Sequence, residues 1–425
     1  VTCSRSAEHL PTPEPPRGVL LALCGTVTIA YGVLYYAFTV LASTIVDDTG
    51  WSATAVTTAF SAGSLVGALA GVGAGQVMQR RGPRLVMTAG SVLAAIAVAV
   101  IAVAPSLPVF TIGWLLAGTA SAGTFYPPAF AALTQWYGER RVQAITTLTL
   151  VAGFSSTIFA PLTAELGDRL GWRATYLVLG ALMLVATAPA HALALRPPWR
   201  PAVLSGHHST RSDRSILTSR TFVLVTTSGA VTSLVMYASL VHLVPLLRDR
   251  GSSVQLAAWA LGLSGAGQVL GRLLYPALQR RTTPNGRATA SIVVLALTVL
   301  ALGLLRGPVP LLIGVAVLAG AARGVFTLVG ATVVSDHWGP ARYAALNGVY
   351  NAPLGIAAAL APAIGAALTA ATGGPTGLFV TLGLLGLAAA VLAAFAGGPD
   401  SAGLPDERDQ PIDPPGEVVV RTVER

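Results

Sequence analysis

Twelve apolar runs divide this chain, at about residues 18–42, 53–78, 85–104, 107–136, 142–166, 174–195, 219–246, 254–279, 287–305, 308–336, 342–370 and 375–397. Each is near or above the ~20 residues that a helix needs to cross a bilayer. In hydrocarbon, backbone N–H and C=O groups find partners only within a helix or a closed barrel, and continuous runs of this length are helical. The expected fold is an all-α membrane protein with twelve transmembrane helices. Composition agrees, with 53% hydrophobic and only 10% charged residues, where soluble proteins carry about 25% charged. The net charge of +9 would suggest nucleic acid in a soluble protein; here membrane topology explains it.

All 26 basic residues are arginine, and their placement sets an orientation. With the N-terminus inside, nineteen fall on the cytoplasmic side and five (Arg169, Arg173, Arg248, Arg250 and Arg306) on the other. The remaining two, Arg272 and Arg323, lie within helices. This bias predicts a multi-pass protein of the cytoplasmic membrane with both termini cytoplasmic. The expected organisation is a polar N-terminal tail at 1–17, a six-helix half at 18–195, a cytoplasmic linker at 196–218, a second six-helix half at 219–397 and a disordered tail at 398–425. The first apolar run is too long for a cleavable signal peptide. Cys3 and Cys24 have no metal or redox spacing, and His207-His208 in the linker reads as a solvated pair. No metal or cofactor is expected.

The stretch Gly67–Arg84, GALAGVGAGQVMQRRGPR, begins as a helix for lipid and ends as a turn for water. Gly67, Gly71 and Gly75 recur every four residues, a pattern that lines one face for close helix approach. The pattern returns 200 residues later as Gly267, Gly271 and Gln279-Arg280-Arg281. With an offset of 201, Tyr36-Ala37 matches Tyr237-Ala238, Asp48 matches Asp249, Gly123 matches Gly324, Gly138 matches Gly339, and Ala160-Pro161 matches Ala361-Pro362. A constant offset through four helix pairs predicts two parallel six-helix repeats, an architecture of transporters with a midplane site.

The segment Gly75-x3-Gln79-Arg80-x-Gly82-Pro83-Arg84 resembles the loop between the second and third helices of the major facilitator superfamily. Members of that family commonly carry Asp where this chain has Gln79. Four blocks resemble its monocarboxylate-porter and oxalate/formate-antiporter branch: Tyr31-Gly32-Val33 with Gly50-Trp51-Ser52, Gly82-Pro83-Arg84, Thr134-Gln135-Trp136-Tyr137 with Arg140-Arg141, and Gly171-Trp172-Arg173. Helix 8 reads Gln268-x3-Arg272, where monocarboxylate relatives often read Asp-x3-Arg, and helix 1 lacks their lysine. Helix 5 has Ala160-Pro161 rather than the Gly-Pro of drug exporters, and Trp114 precedes Gly118 where many proton-coupled relatives have Arg. The resemblance implies a secondary active transporter for a small, monocarboxylate-like organic anion, working by alternating access with proton symport. It also implies a gating loop of Gly75, Gln79, Arg80, Gly82 and Arg84, in which Arg80, Gly82 and Arg84 hold the halves together when the transporter opens outward.

Candidate binding residues come from the intramembrane polar positions. A charge at mid-bilayer costs roughly 2.5–3.5 kcal/mol on insertion scales, so each needs a reason. Arg272 and Arg323 have no acidic residue in any helix centre to pair with, and an anionic substrate would neutralise them. Snorkelling of Arg272 to the near interface, or hydrogen bonding of Arg323 to neighbouring carbonyls, are the structural alternatives. Tyr31 and Tyr35 in helix 1, Tyr126 in helix 4, His242 in helix 7, and Asn347 and Asn351 in helix 11 complete the candidate set. Packing, or for the asparagines interhelical hydrogen bonding, is the alternative for these. Pro127-Pro128 is expected to bend helix 4. The partners expected are a small anionic molecule, lipid and protons, with no nucleic acid and a monomeric state. An efflux exchanger for a drug-like or biosynthetic metabolite is the main rival. A membrane-embedded enzyme or a non-transporting sensor is remote, since the sequence has no nucleotide loop, metal cluster, catalytic triad or appended soluble domain.

Overall fold

A computed structural model describes residues 17–199 and 215–396. Most of the expected linker, with His207 and His208, and both tails lie outside the described residues. Helix α1 comprises Arg17–Tyr31, a π turn at Gly32–Tyr36, and Ala37–Thr49. Then follow α2 (Ala53–Arg81), α3 (Pro83–Val103) and α4, which is Leu107–Thr124 resumed as Tyr126–Tyr137. Helix α5 starts as Arg141–Ala152 and resumes at Ser155; Ser155–Leu182 bends at Gly171 (φ 74°, ψ 163°), after which α6 continues through Met183–Thr187 to Ala188–Ala194. The second half holds α7 (Arg220–Val241, then Leu243–Asp249), α8 (Val254–Arg281), α9 (Pro284–Leu304), α10 (Val309–Trp338), α11 (Tyr343–Ala371) and α12 (Pro375–Phe395). Among the described residues, nine stretches are long and apolar enough to cross a membrane; one, Leu107–Ala194, contains α4 to α6. Helix α8 adds a pass diluted by Gln268 and Arg272. This accounts for the twelve helices expected.

Local chemistry sets the helix ends. Ser52 and Ser253, again 201 apart, start α2 and α8 by accepting the N–H groups of Ala55 and Leu256, each at 3.2 Å. Pro127-Pro128 follows a break at Phe125 (ψ −166°) and falls in the first turn of the resumed helix, where the missing N–H groups cost no intrahelical bond. Large apolar side chains such as Leu69, Ile96, Val185 and Leu274 stay exposed on the outer surface, as lipid contact requires.

The glycine stripe of α2 serves two partners rather than one. A Cβ at Gly67 would sit 2.7 Å from the Gly118 carbonyl oxygen of α4, whereas one at Gly75 would strike the Ala344 carbonyl of α11. Four-residue steps on a helix of 3.6 residues per turn drift by about 40° each, so Gly67 and Gly75 point about 80° apart. In the second half, Gly267 and Gly271 press on Val317 and Ala321 of α10, while Gly320 and Gly324 press back on Ser264 and Gln268 of α8. Any side chain at these positions would part the pair.

At the end marked by Asp48, each half is closed by its own clasp. Trp172 donates to Asp48 at 2.9 Å, and Arg173 donates to the carbonyls of Ala102 and Ala104, both at 2.9 Å, while stacking over Trp172. Arg250 does the same for Gly303, at 2.8 Å, and Leu305. The acceptors are 201 residues apart; the donors come from unrelated positions, the start of α6 and the end of α7.

Candidate substrate site and gate

Helices α8 and α10 place Arg272 and Arg323 in the interior, with 8% and 4% of their surfaces exposed. Arg323 donates to the Ser264 hydroxyl of α8. Arg272 crosses between the halves and donates to the Thr149 carbonyl of α5 at 2.9 Å. That carbonyl also accepts the Gly153 N–H at 3.1 Å and lies in the last turn of the α5 segment that ends at Ala152, so the guanidinium sits at a helix C-terminus, where positive charge is favoured. The Nε groups of both arginines are buried without a hydrogen-bond partner in the protein. The four ion pairs found among the described residues join Arg141, Arg169, Arg173 and Arg287 to carboxylates, and none involves Arg272 or Arg323.

Tyrosines gather around these two charges. The break at Phe125 brings that ring onto Tyr31, stacked at 4.0 Å, with Tyr126 at 4.8 Å from Tyr31. Tyr35 meets Tyr36 and Phe60 edge-on at 5.3 and 5.6 Å. Arg272 lies close enough to act electrostatically on Tyr126 and Tyr237, and Arg323 on Tyr237. Tyr237 in turn lies within electrostatic reach of Tyr31, Tyr35 and Tyr36. The structure therefore gathers Arg272, Arg323, Tyr31, Tyr35 and Tyr126 of the expected set, and adds Tyr36 and Tyr237. These two are a repeat-related pair, so the 201-residue offset carried the signal.

The other candidates sit elsewhere. His242 ends the first segment of α7, with its Nδ1 3.0 Å from the Ala238 carbonyl and its ring packed on Gly365. Asn351 donates to Asn347 Oδ1 at 2.8 Å and to its carbonyl at 2.9 Å, so the pair bonds within α11 rather than between helices. Asn347 is buried and lines a small crevice with Gly71, Gly75, Pro127 and Pro128.

The halves meet closely at the α2–α3 loop end. Gly75 packs on Ala344, and the Gly71 carbonyl lies against Gly348. The Gln79 amide donates to the Ala341 carbonyl and its Oε1 accepts from the Ala345 N–H at 3.4 Å. Two of the arginines expected in the gating loop do not cross between the halves in this structure. Arg84 donates to Ala192 of its own half at 2.8 Å, because Gly82 (φ 81°) turns the chain toward α6. Arg80 is exposed, and the neutral Gln79 makes the crossing in place of a charge pair. A second crossing was not anticipated: Asp336 at the end of α10 receives Arg141 of α5 at 3.1 Å and Arg287 of α9 at 2.8 Å. Its repeat mate is Gln135, so the repeat hid the acid.

Twelve helices in two repeats, packed through glycines around two buried arginines with aromatic side chains beside them, define a multi-pass membrane protein of transporter architecture. The chain belongs to the Major Facilitator Superfamily, which it matches over residues 23–316 and 289–422. It is 31% identical to human monocarboxylate transporter 11 over 53% of this chain and 48% of that protein. It thus spans about half the length of that relative. A Thermoproteus tenax protein described as an uncharacterized 38 kDa protein in a 23S RNA operon is 30% identical over 94% of this chain and 99% of its own. The E. coli fucose:proton symporter FucP shares the fold, with a TM-score of 0.70 at 13% identity, covering 89% of this chain and 98% of FucP. Human monocarboxylate transporter 11 and FucP are transporters, not enzymes.

Proposed function

We propose that this protein is a secondary active transporter that moves a small, monocarboxylate-like organic anion across the cytoplasmic membrane by alternating access. One observation carries the reading: two guanidinium groups, each more than nine-tenths buried, have no carboxylate partner and keep an unbonded Nε–H. A carboxylate supplies two acceptors in matching geometry and offsets the cost of the buried charge. The kinship with monocarboxylate transporter 11 supports the same substrate class. Each half moves as a unit about the site, with the Gln79 and Asp336 crossings as the gate on the cytoplasmic side. Proton symport is the coupling that fits an anion moved against the membrane potential, and the arginine bias supports two cytoplasmic termini.

Counterflow in proteoliposomes, across a panel of monocarboxylates, dicarboxylates and neutral isosteres with and without a pH gradient, tests the proposal. Exchange of a carboxylate and indifference to its amide are expected. Exchange of bulky neutral compounds alone would favour the efflux reading, for which the Tyr31, Phe125 and Tyr126 stack supplies a suitable wall.

A further inference from the structure

The first residues of the linker run back along the gate loop. Trp199 lies against Gly82, where an added Cβ would sit 3.0 Å from the Cβ and Cγ of the tryptophan. Its indole N–H donates to the Gln79 carbonyl at 3.1 Å. Trp136, at the end of α4, donates its own indole N–H to the Pro198 carbonyl at 3.2 Å, and the two indoles meet edge-to-face at 6.0 Å. Pro197-Pro198 stiffens this approach, since each ring fixes its own φ.

The acceptor matters. Gln79 is in the last turn of α2, where carbonyls have no intrahelical partner and the turn frays unless something caps it. Its main chain is held by the linker while its side chain reaches Ala341 and Ala345 of the other half. We infer that Trp199 is a positioning residue for the gate, fixing the last turn of α2 so that the Gln79 amide engages the start of α11, and thereby favouring the state closed at this end. This rests on the gating role of Gln79. The Trp136–Pro198 contact in turn keeps Trp199 in place.

Ala344 is buried beneath this contact, so a thiol there reports opening. In a Cys3→Ser, Cys24→Ala, Ala344→Cys parent, the initial rate of N-ethylmaleimide labelling is measured in membranes. Gln79→Ala is expected to raise the rate. Trp199→Phe, which keeps an aromatic ring on Gly82 but loses the donor, is expected to raise it about threefold to tenfold, the scale of one hydrogen bond. The double variant is expected to label no faster than Gln79→Ala, because both act through one contact; a general loss of packing would instead multiply. Trp136→Phe serves as a second, milder route to the same effect. A parental rate in Trp199→Phe beside a fast Gln79→Ala overturns the inference alone, as does a multiplicative double variant. A parental rate in Gln79→Ala overturns the gating role itself.

Discussion

At the scale of single residues, Arg272 and Arg323 differ in what holds them. Arg323 is tied to a hydroxyl within its own half, and Arg272 to a main-chain carbonyl across the interface. Both retain donors that a substrate carboxylate can take. Arg→Lys keeps the charge but replaces the planar fork with a point charge on a flexible stem. Arg272→Lys and Arg323→Lys are each expected to raise the half-saturation concentration for an identified anion about tenfold or more, the worth of a charged hydrogen bond. Initial uptake at matched membrane abundance measures this, and parental kinetics in both would make the arginines structural. The sequence exposed these residues because charge is rare in an apolar run. It could not reveal Ser264 or Thr149, since a hydroxyl and a carbonyl look like every other one in a Gly/Ala-rich helix. Nor could it separate Tyr126 from the packing aromatics.

Among elements, the repeat keeps the need and changes the supply. The carbonyls that end α3 and α9 recur at the 201-residue offset, yet one pair is capped by Arg173 and the other by Arg250. Exposed helix ends in either half carry unsatisfied acceptors, and any nearby guanidinium suffices. Arg173→Ala and Arg250→Ala are each expected to destabilise the folded protein by about 1 kcal/mol, read as a lower melting temperature in detergent. An unchanged melting temperature in both would show that water satisfies these carbonyls equally well. The α2–α3 turn makes a sharper demand. Gly82 has φ 81° and its missing Cβ seats Trp199, so Gly82→Val combines a disfavoured backbone with a collision. Transport is expected to fall at least tenfold with abundance near normal; a parental rate would remove this turn from the mechanism. The bend in α4 was legible from Pro127-Pro128. The interruption of α5 at Gly153-Phe154 was not, because the residues there carry no proline.

For the whole molecule, the bonds between halves are concentrated at the α2–α3 loop end, and the clasps at the Asp48 end stay within each half. Reporter fusions at Arg211 and after Asp406 are expected to read cytoplasmic and one near Asp48 external; an external signal at Arg211 would reverse the orientation. The Asp336 carboxylate then separates two roles. Its Oδ2 takes Arg287, which is 3% exposed and also bonds Tyr275 at 3.1 Å and Thr282 at 3.3 Å, so this pair belongs to the interior of the second half. Its Oδ1 takes Arg141, which is 23% exposed and comes from the first half, so water can receive that guanidinium when the halves part. Removing Arg287 leaves a buried carboxylate with one partner lost, a change that costs about 3–5 kcal/mol in buried pairs. Removing Arg141 takes away only a contact specific to one state, which shifts the equilibrium between states and leaves the fold intact. Arg287→Gln is therefore expected to lower abundance and melting temperature. Arg141→Gln is expected to keep both while raising the labelling rate of the Ala344→Cys thiol about fivefold, the scale of 1 kcal/mol for a partly exposed pair. Parental labelling in Arg141→Gln would make the crossing an incidental contact, and the gate would then rest on Gln79 and the α2–α11 packing.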